Sequence, residues 1–122
     1  ADGAYIGGAI APVVNLSIRA LADAAARLPM IETGEWSEEL HVLGTTTVDA
    51  MNSGLYYGYV SIVEGMIKRL QTAYGQKMTV IATGGLSQLF SEAIDGVDHH
   101  DPDLTINGMA IIYANRKASN VK

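Results

Sequence analysis

Asp98-His99-His100-Asp101, with Asp103 just beyond, gathers imidazoles and carboxylates, the side chains that most often ligate zinc and related metals. Adjacent histidines point apart, however, and the helical spacing that sets two imidazoles on one face is missing. The run therefore reads as a polar loop in which Asp103 or Thr105 caps a following helix, and no metal ligand is expected in it. Serine, histidine and aspartate are all present, yet no Gly-x-Ser-x-Gly elbow occurs that would expose a serine nucleophile. Without cysteine, neither a thiolate site nor a disulfide framework can be built.

Phosphate chemistry leaves a fainter trace. Neither a Walker loop nor a Gly-x-Gly-x-x-Gly fingerprint occurs, but Gly-Gly stands twice, at Gly7-Gly8 and Gly84-Gly85. The second pair follows a β-branched run, where a backbone without Cβ atoms admits a flat ring or a phosphate at the carboxyl end of a strand. On its own the pair is better read as a plain tight turn. Thr47 is similarly two-sided: at a helix start its hydroxyl either caps the helix or bonds an incoming polar ligand.

The elements that must hold these residues follow from periodicity. Ala4 to Ile10, with Tyr5, Ile6 and Ile10 around two glycines, predicts a strand that Pro12 ends. From Asn15 to Leu28, Leu16, Ile18, Leu21, Ala22, Ala25 and Leu28 recur at helical spacing, and Pro29 closes the helix. Residues 30–43 carry Glu32, Glu35, Glu38 and Glu39 and predict a solvated connection with one short strand near Met30-Ile31. Gly44-Thr45-Thr46-Thr47 then opens a long helix whose buried stripe is Val48, Met51, Leu55, Ile62, Met66 and Leu70. Gly54, Gly58, Ser61 and Gly65 form a second stripe on it. Interior glycine costs a helix about 1 kcal/mol relative to alanine, so a closely approaching helix from elsewhere in the protein or from another subunit is expected there.

Lys77 to Ala82 predicts a strand buried on both faces, Thr83-Gly84-Gly85 a turn out of the sheet, and Leu86 to Ile94 a helix. Asp95 to Asp103 predicts a polar loop, and a final amphipathic helix runs from Leu104 to about Asn115-Arg116. The order strand, helix, helix, strand, helix, helix suits one α/β layered domain over 1–122, entered after its first strand.

Composition narrows the partners. Eight basic residues against 13 acidic ones leave a net charge of −5, which offers no field for nucleic acid or anionic lipid. No basic segment precedes an apolar one at the start, and no apolar run is long enough to span a bilayer, so a cytoplasmic setting is expected. Hydrophobic residues are 48% of the chain, and with the 13 glycines the apolar share is about 59% against an ordinary ~45–50%. Either apolar surface is hidden against other polypeptide or the core is packed with alanine.

In order along the chain, Tyr5-Ile-Gly-Gly-Ala-Ile-Ala-Pro12, Leu28-Pro29, Gly44-x-x-Thr47-x-x-x-Met51-x-Ser53-Gly54-x-x-x-Gly58, Ala82-Thr-Gly-Gly85 and Asp101-Pro-Asp-Leu-Thr105-x-x-Gly108 resemble the C-terminal part of type III pantothenate kinases. The resemblance spans nearly the whole chain. It implies a ribonuclease H-like half, missing its first strand, of an actin-like ATPase-type fold. It also implies ATP-dependent phosphorylation of pantothenate to 4'-phosphopantothenate in coenzyme A biosynthesis, with magnesium and a monovalent cation (potassium or ammonium) assisting. Thr47 would contact pantothenate across a homodimer interface, and Thr83, Gly84 and Gly85 would lie beside the adenine nucleotide. The family's phosphate-binding Asp-x-Gly-Asn-Thr and its Gly-Ala-Asp-Arg segment with the general base lie upstream of the matched region. No catalytic residue is therefore expected in this segment, and the isolated segment is expected to be inactive. A non-catalytic binding or regulatory module of the same fold is the alternative. Val13, Thr45-Thr46 and Asn107 depart from the family's usual glycine, Lys-Asn and glutamate.

Overall fold

The computed structural model describes residues 3–12, 14–24, 29, 40–85, 87, 90 and 93–119. They fall in two compact units, Ala1–Tyr59 and Val60–Lys122. Together they are mixed helix and strand. Val13, the segment 25–28 and the expected strand at Met30-Ile31 lie outside the described residues, as does part of the helix expected over 86–94.

In the first unit, helix α1 covers Val14–Ala24. Its buried residues are Val14 and Ile18, one turn apart, while Leu16 and Leu21 of the expected stripe stay exposed. The strand expected over Ala4 to Ile10 does not form: residues 3–12 carry no ladder, Tyr5, Ile6 and Ile10 are exposed, and Gly7 has φ +141°. An extended segment becomes a strand only when its amides and carbonyls meet a neighbour, and among the described residues none pairs with it.

Helix α2, Thr47–Tyr74, starts where the threonine run predicts and continues for 28 residues into the second unit. Met51 and Leu55 are buried as expected, joined by Ser53 and Val60. Val48, Ile62 and Leu70 are exposed instead, and Met66 is half-buried. Periodicity marks the apolar face of a helix without saying whether the same segment supplies its cover. α2 stops at Gly75, whose amide donates to the Gln71 carbonyl at 3.0 Å with φ +75°, the left-handed ending that glycine adopts without a Cβ penalty.

In the second unit, strand β1, Ile81–Ala82, pairs in parallel with strand β2, His99–His100, in the register Ile81 with His99 and Ala82 with His100. The expected strand over Lys77 to Ala82 is thus reduced to two residues, and Ile81 is 47% exposed rather than buried on both faces. The segment expected to be a polar loop, in turn, contains β2. Two short strands have too few partners to bury either face, and their histidines carried no apolar alternation to announce them.

Helix α3, Leu104–Ser119, begins as expected but runs past Arg116. Arg116 and Lys117 in its last turn favour that extension by facing the negative end of the helix dipole. At its start the Asp101 carboxylate, rather than the side chain of Asp103 or Thr105, accepts an amide, that of Asp103 at 3.0 Å. Among the described residues no helix is long and apolar enough to cross a membrane.

Candidate functional site

Thr47 sits in the first turn of α2, and its surroundings decide which of its two possible roles is open. The cap is made by its neighbour. The Asp49 amide donates to Thr46 Oγ1 at 3.1 Å, and the Thr46 amide donates back to Asp49 Oδ2 at 3.2 Å, a reciprocal capping box with Asp49 at the third helical position. Thr45 Oγ1 adds a bond to the same carboxylate oxygen at 3.3 Å. The Thr46 hydroxyl first, then the Thr46 amide and the Thr45 hydroxyl and amide, hold the Asp49 carboxyl below its ordinary value against a smaller opposing effect of desolvation. With the Asp49 amide taken by Thr46 and the Thr46 amide by Asp49, the Thr47 hydroxyl bonds no partner among the described residues and is exposed.

The segment before the helix is held from behind. Ser53 Oγ donates to the Val42 carbonyl at 2.5 Å, and Tyr57 Oη to the Leu40 carbonyl at 2.6 Å. Gly44 lies so close to the first turn of α2 that a Cβ there would meet the Ala50 Cα at 2.6 Å and come nearer still to the Ala50 nitrogen and the Asp49 carbonyl carbon. These four residues, Gly44, Asp49, Ser53 and Tyr57, were not singled out for this role from the sequence. Two signals were available: Thr46-x-x-Asp49 has the spacing of a capping box, and Ser53 and Tyr57 place two hydroxyls on one helical face.

Thr83, Gly84 and Gly85 belong to the second unit, where they follow β1 at its carboxyl end. Gly84 has φ +92°, and its carbonyl accepts from the Ser87 amide at 3.0 Å and the Ser87 hydroxyl at 2.6 Å, so the chain does turn sharply out of the strand here. A Cβ on either glycine would meet nothing within 4 Å, which leaves this backbone open to approach. Thr83 is exposed.

The Asp-His run is occupied with backbone. Asp98 Oδ2 accepts the Val80 amide at 2.8 Å, Asp101 Oδ1 accepts that of Asp103, and the two histidines form β2. Among the described residues no group of three or more His, Asp or Glu is placed to hold a metal ion.

Comparison with known proteins assigns the family. The model of the type III pantothenate kinase family matches residues 1–69. The chain is 50% identical over 113 residues to a type III pantothenate kinase of Caulobacter vibrioides, covering 93% of this chain and 43% of the relative. It is 50% identical over 111 residues to one of Acidiphilium cryptum, covering 91% and 41%, and 49% identical over 112 residues to one of Rhodospirillum rubrum, covering 92% and 42%. It thus spans about two-fifths of the length of these curated relatives. On the match of the family model to more than half of its residues, the chain belongs to the type III pantothenate kinase family.

Proposed function

We propose that this chain is part of an ATP-dependent pantothenate kinase and supplies the acceptor-binding Thr47 together with the nucleotide-side turn Thr83-Gly84-Gly85. The reaction would form 4'-phosphopantothenate: the 4'-hydroxyl oxygen of pantothenate bonds the γ-phosphorus, the bond to the β-phosphate oxygen breaks, and ADP leaves. The hydroxyl proton goes to a base on polypeptide outside this segment. Phosphoryl transfer rests on positioning and charge neutralisation, and positioning is what these residues can contribute. Thr47 orients the acceptor, and the glycine turn lets the nucleotide approach the backbone. Magnesium and a monovalent cation, held outside the described residues, belong to the same reading, as do a homodimer, a cytoplasmic setting and a ribonuclease H-like half of an actin-like ATPase-type fold.

One observation carries the acceptor assignment. The helix cap that would otherwise employ the Thr47 hydroxyl is made by Thr46 and Asp49. Thr47→Val in the full-length protein is expected to raise the KM for pantothenate roughly two- to tenfold, the weight of one hydrogen bond, with the KM for ATP unchanged. An unchanged pantothenate KM overturns the assignment.

A further inference from the structure

We infer that Ser53 and Tyr57 are positioning residues for the acceptor site, acting as a two-point clasp that sets where Thr47 stands; the inference rests on Thr47 contacting pantothenate. The two hydroxyls lie one turn apart on α2 and donate to carbonyls two residues apart, Val42 and Leu40, in a segment without regular structure of its own. Pairing 57 with 40 and 53 with 42 runs the segment antiparallel to the helix. The segment then bends at Val42 and Leu43, and beyond the bend Gly44 rests against the backbone of Asp49 and Ala50. Only glycine permits that contact. The chain then reverses through Thr45 and Thr46 into Thr47.

Within this chain, side-chain burial does little to hold the segment, because Val42 is 66% and Leu43 85% exposed and only Leu40 is half-buried. Its placement depends on the two hydroxyls, on Gly44 and on the capping box. Ser53 is the one buried polar residue among those described, and its hydroxyl is committed to the Val42 carbonyl rather than to solvent. Loosening the clasp leaves the Thr47 hydroxyl present but no longer fixed, which weakens acceptor binding and leaves the nucleotide unaffected.

The test is steady-state kinetics on the full-length kinase. Tyr57→Phe, which keeps the ring and removes only the hydroxyl, and Ser53→Ala are each expected to raise the pantothenate KM about fivefold, while the ATP KM stays within about twofold. Ser53→Thr, which keeps a hydroxyl, is expected to recover most of the loss. Tyr57→Phe added to Thr47→Val is expected to change the pantothenate KM little beyond Thr47→Val alone, because no hydroxyl then remains to be positioned. Additive effects overturn the inference, as does a fall in kcat with an unchanged pantothenate KM, the mark of a merely structural role. If Thr47→Val raises the pantothenate KM and Tyr57→Phe does not, the clasp falls and the acceptor assignment stands. If Thr47→Val has no effect, the assignment itself falls and takes the clasp with it. Should Ser53→Ala not accumulate as folded protein, Tyr57→Phe decides the question alone.

Discussion

Asp49 ties Thr45 and Thr46 into one helix start through three hydrogen bonds, two of them to its carboxylate. Its carboxyl is kept below the ordinary value by the Thr46 hydroxyl first and then by the Thr46 amide and the Thr45 donors. The unfolded chain therefore binds the proton more tightly than the folded one, and stability rises with pH across that interval. The contribution is complete above the ordinary carboxylate value and disappears as the pH falls through the lower folded value. Asp49→Asn is expected to lose stability at neutral pH and to narrow the gap from the parent protein in strong acid, read from urea midpoints by circular dichroism at both pH values. Gly44 makes a sharper prediction, because the atoms an added Cβ would strike are backbone and cannot swing aside. Gly44→Ala is expected to destabilise by about 1–3 kcal/mol, a typical overpacking cost, in the same denaturation assay. The threonine run was legible as a helix start. Which threonine does the capping was not, since any of the three can accept an amide, and only Asp49 in its third helical position selects Thr46 and releases Thr47.

At the scale of elements, the helices were more legible than the strands, of which only β1 falls where a strand was expected, within Lys77 to Ala82. Helices satisfy their own backbone, so Thr47–Tyr74 and Leu104–Ser119 appear close to where periodicity and caps placed them. Strands depend on neighbours distant in sequence: Ala4 to Ile10 had the right residues and no partner among the described residues, whereas His99–His100 had the wrong residues and pairs with β1. The glycines of α2 belong to the same contrast. A Cβ added at Gly54, Gly58 or Gly65 meets nothing within 4 Å, so within this segment their cost to the helix is not offset by any close contact. Gly58→Ala in a peptide spanning residues 47–74 is therefore expected to raise helicity, by up to about 1 kcal/mol in helix stability, as read by far-ultraviolet circular dichroism. In the full-length protein Gly58→Leu is expected to weaken the proposed dimer, as read by sedimentation. An unchanged association constant would remove the glycine stripe from the interface.

The largest unmet demand belongs to the molecule as a whole. Leu104, Ile106, Met109, Ile111, Ile112 and Tyr113 of α3 are all exposed, around more than half of the helix, and so are Tyr5, Ile6 and Ile10 near the start. So many large apolar side chains are rarely left in water, and the chain spans only about two-fifths of its relatives' length. Among the described residues much of the apolar excess of the composition thus lies at the surface rather than in a core. Fully burying one such side chain contributes about 1.5–3 kcal/mol, and each of the six on α3, between 40% and 71% exposed, forgoes part of that. The 122-residue segment by itself is expected to bind a dye specific for exposed apolar surface, to exchange its α3 amides quickly, and to transfer no phosphate from ATP to pantothenate. The full-length kinase is expected to lose the dye signal, to protect α3 and to turn over. Slow exchange of α3 in the isolated segment would mean that the helix is stable uncovered. Turnover by that segment would mean that the acceptor and nucleotide turns need no base from elsewhere, and the division of labour proposed for Thr47 and Thr83-Gly84-Gly85 would have to be abandoned.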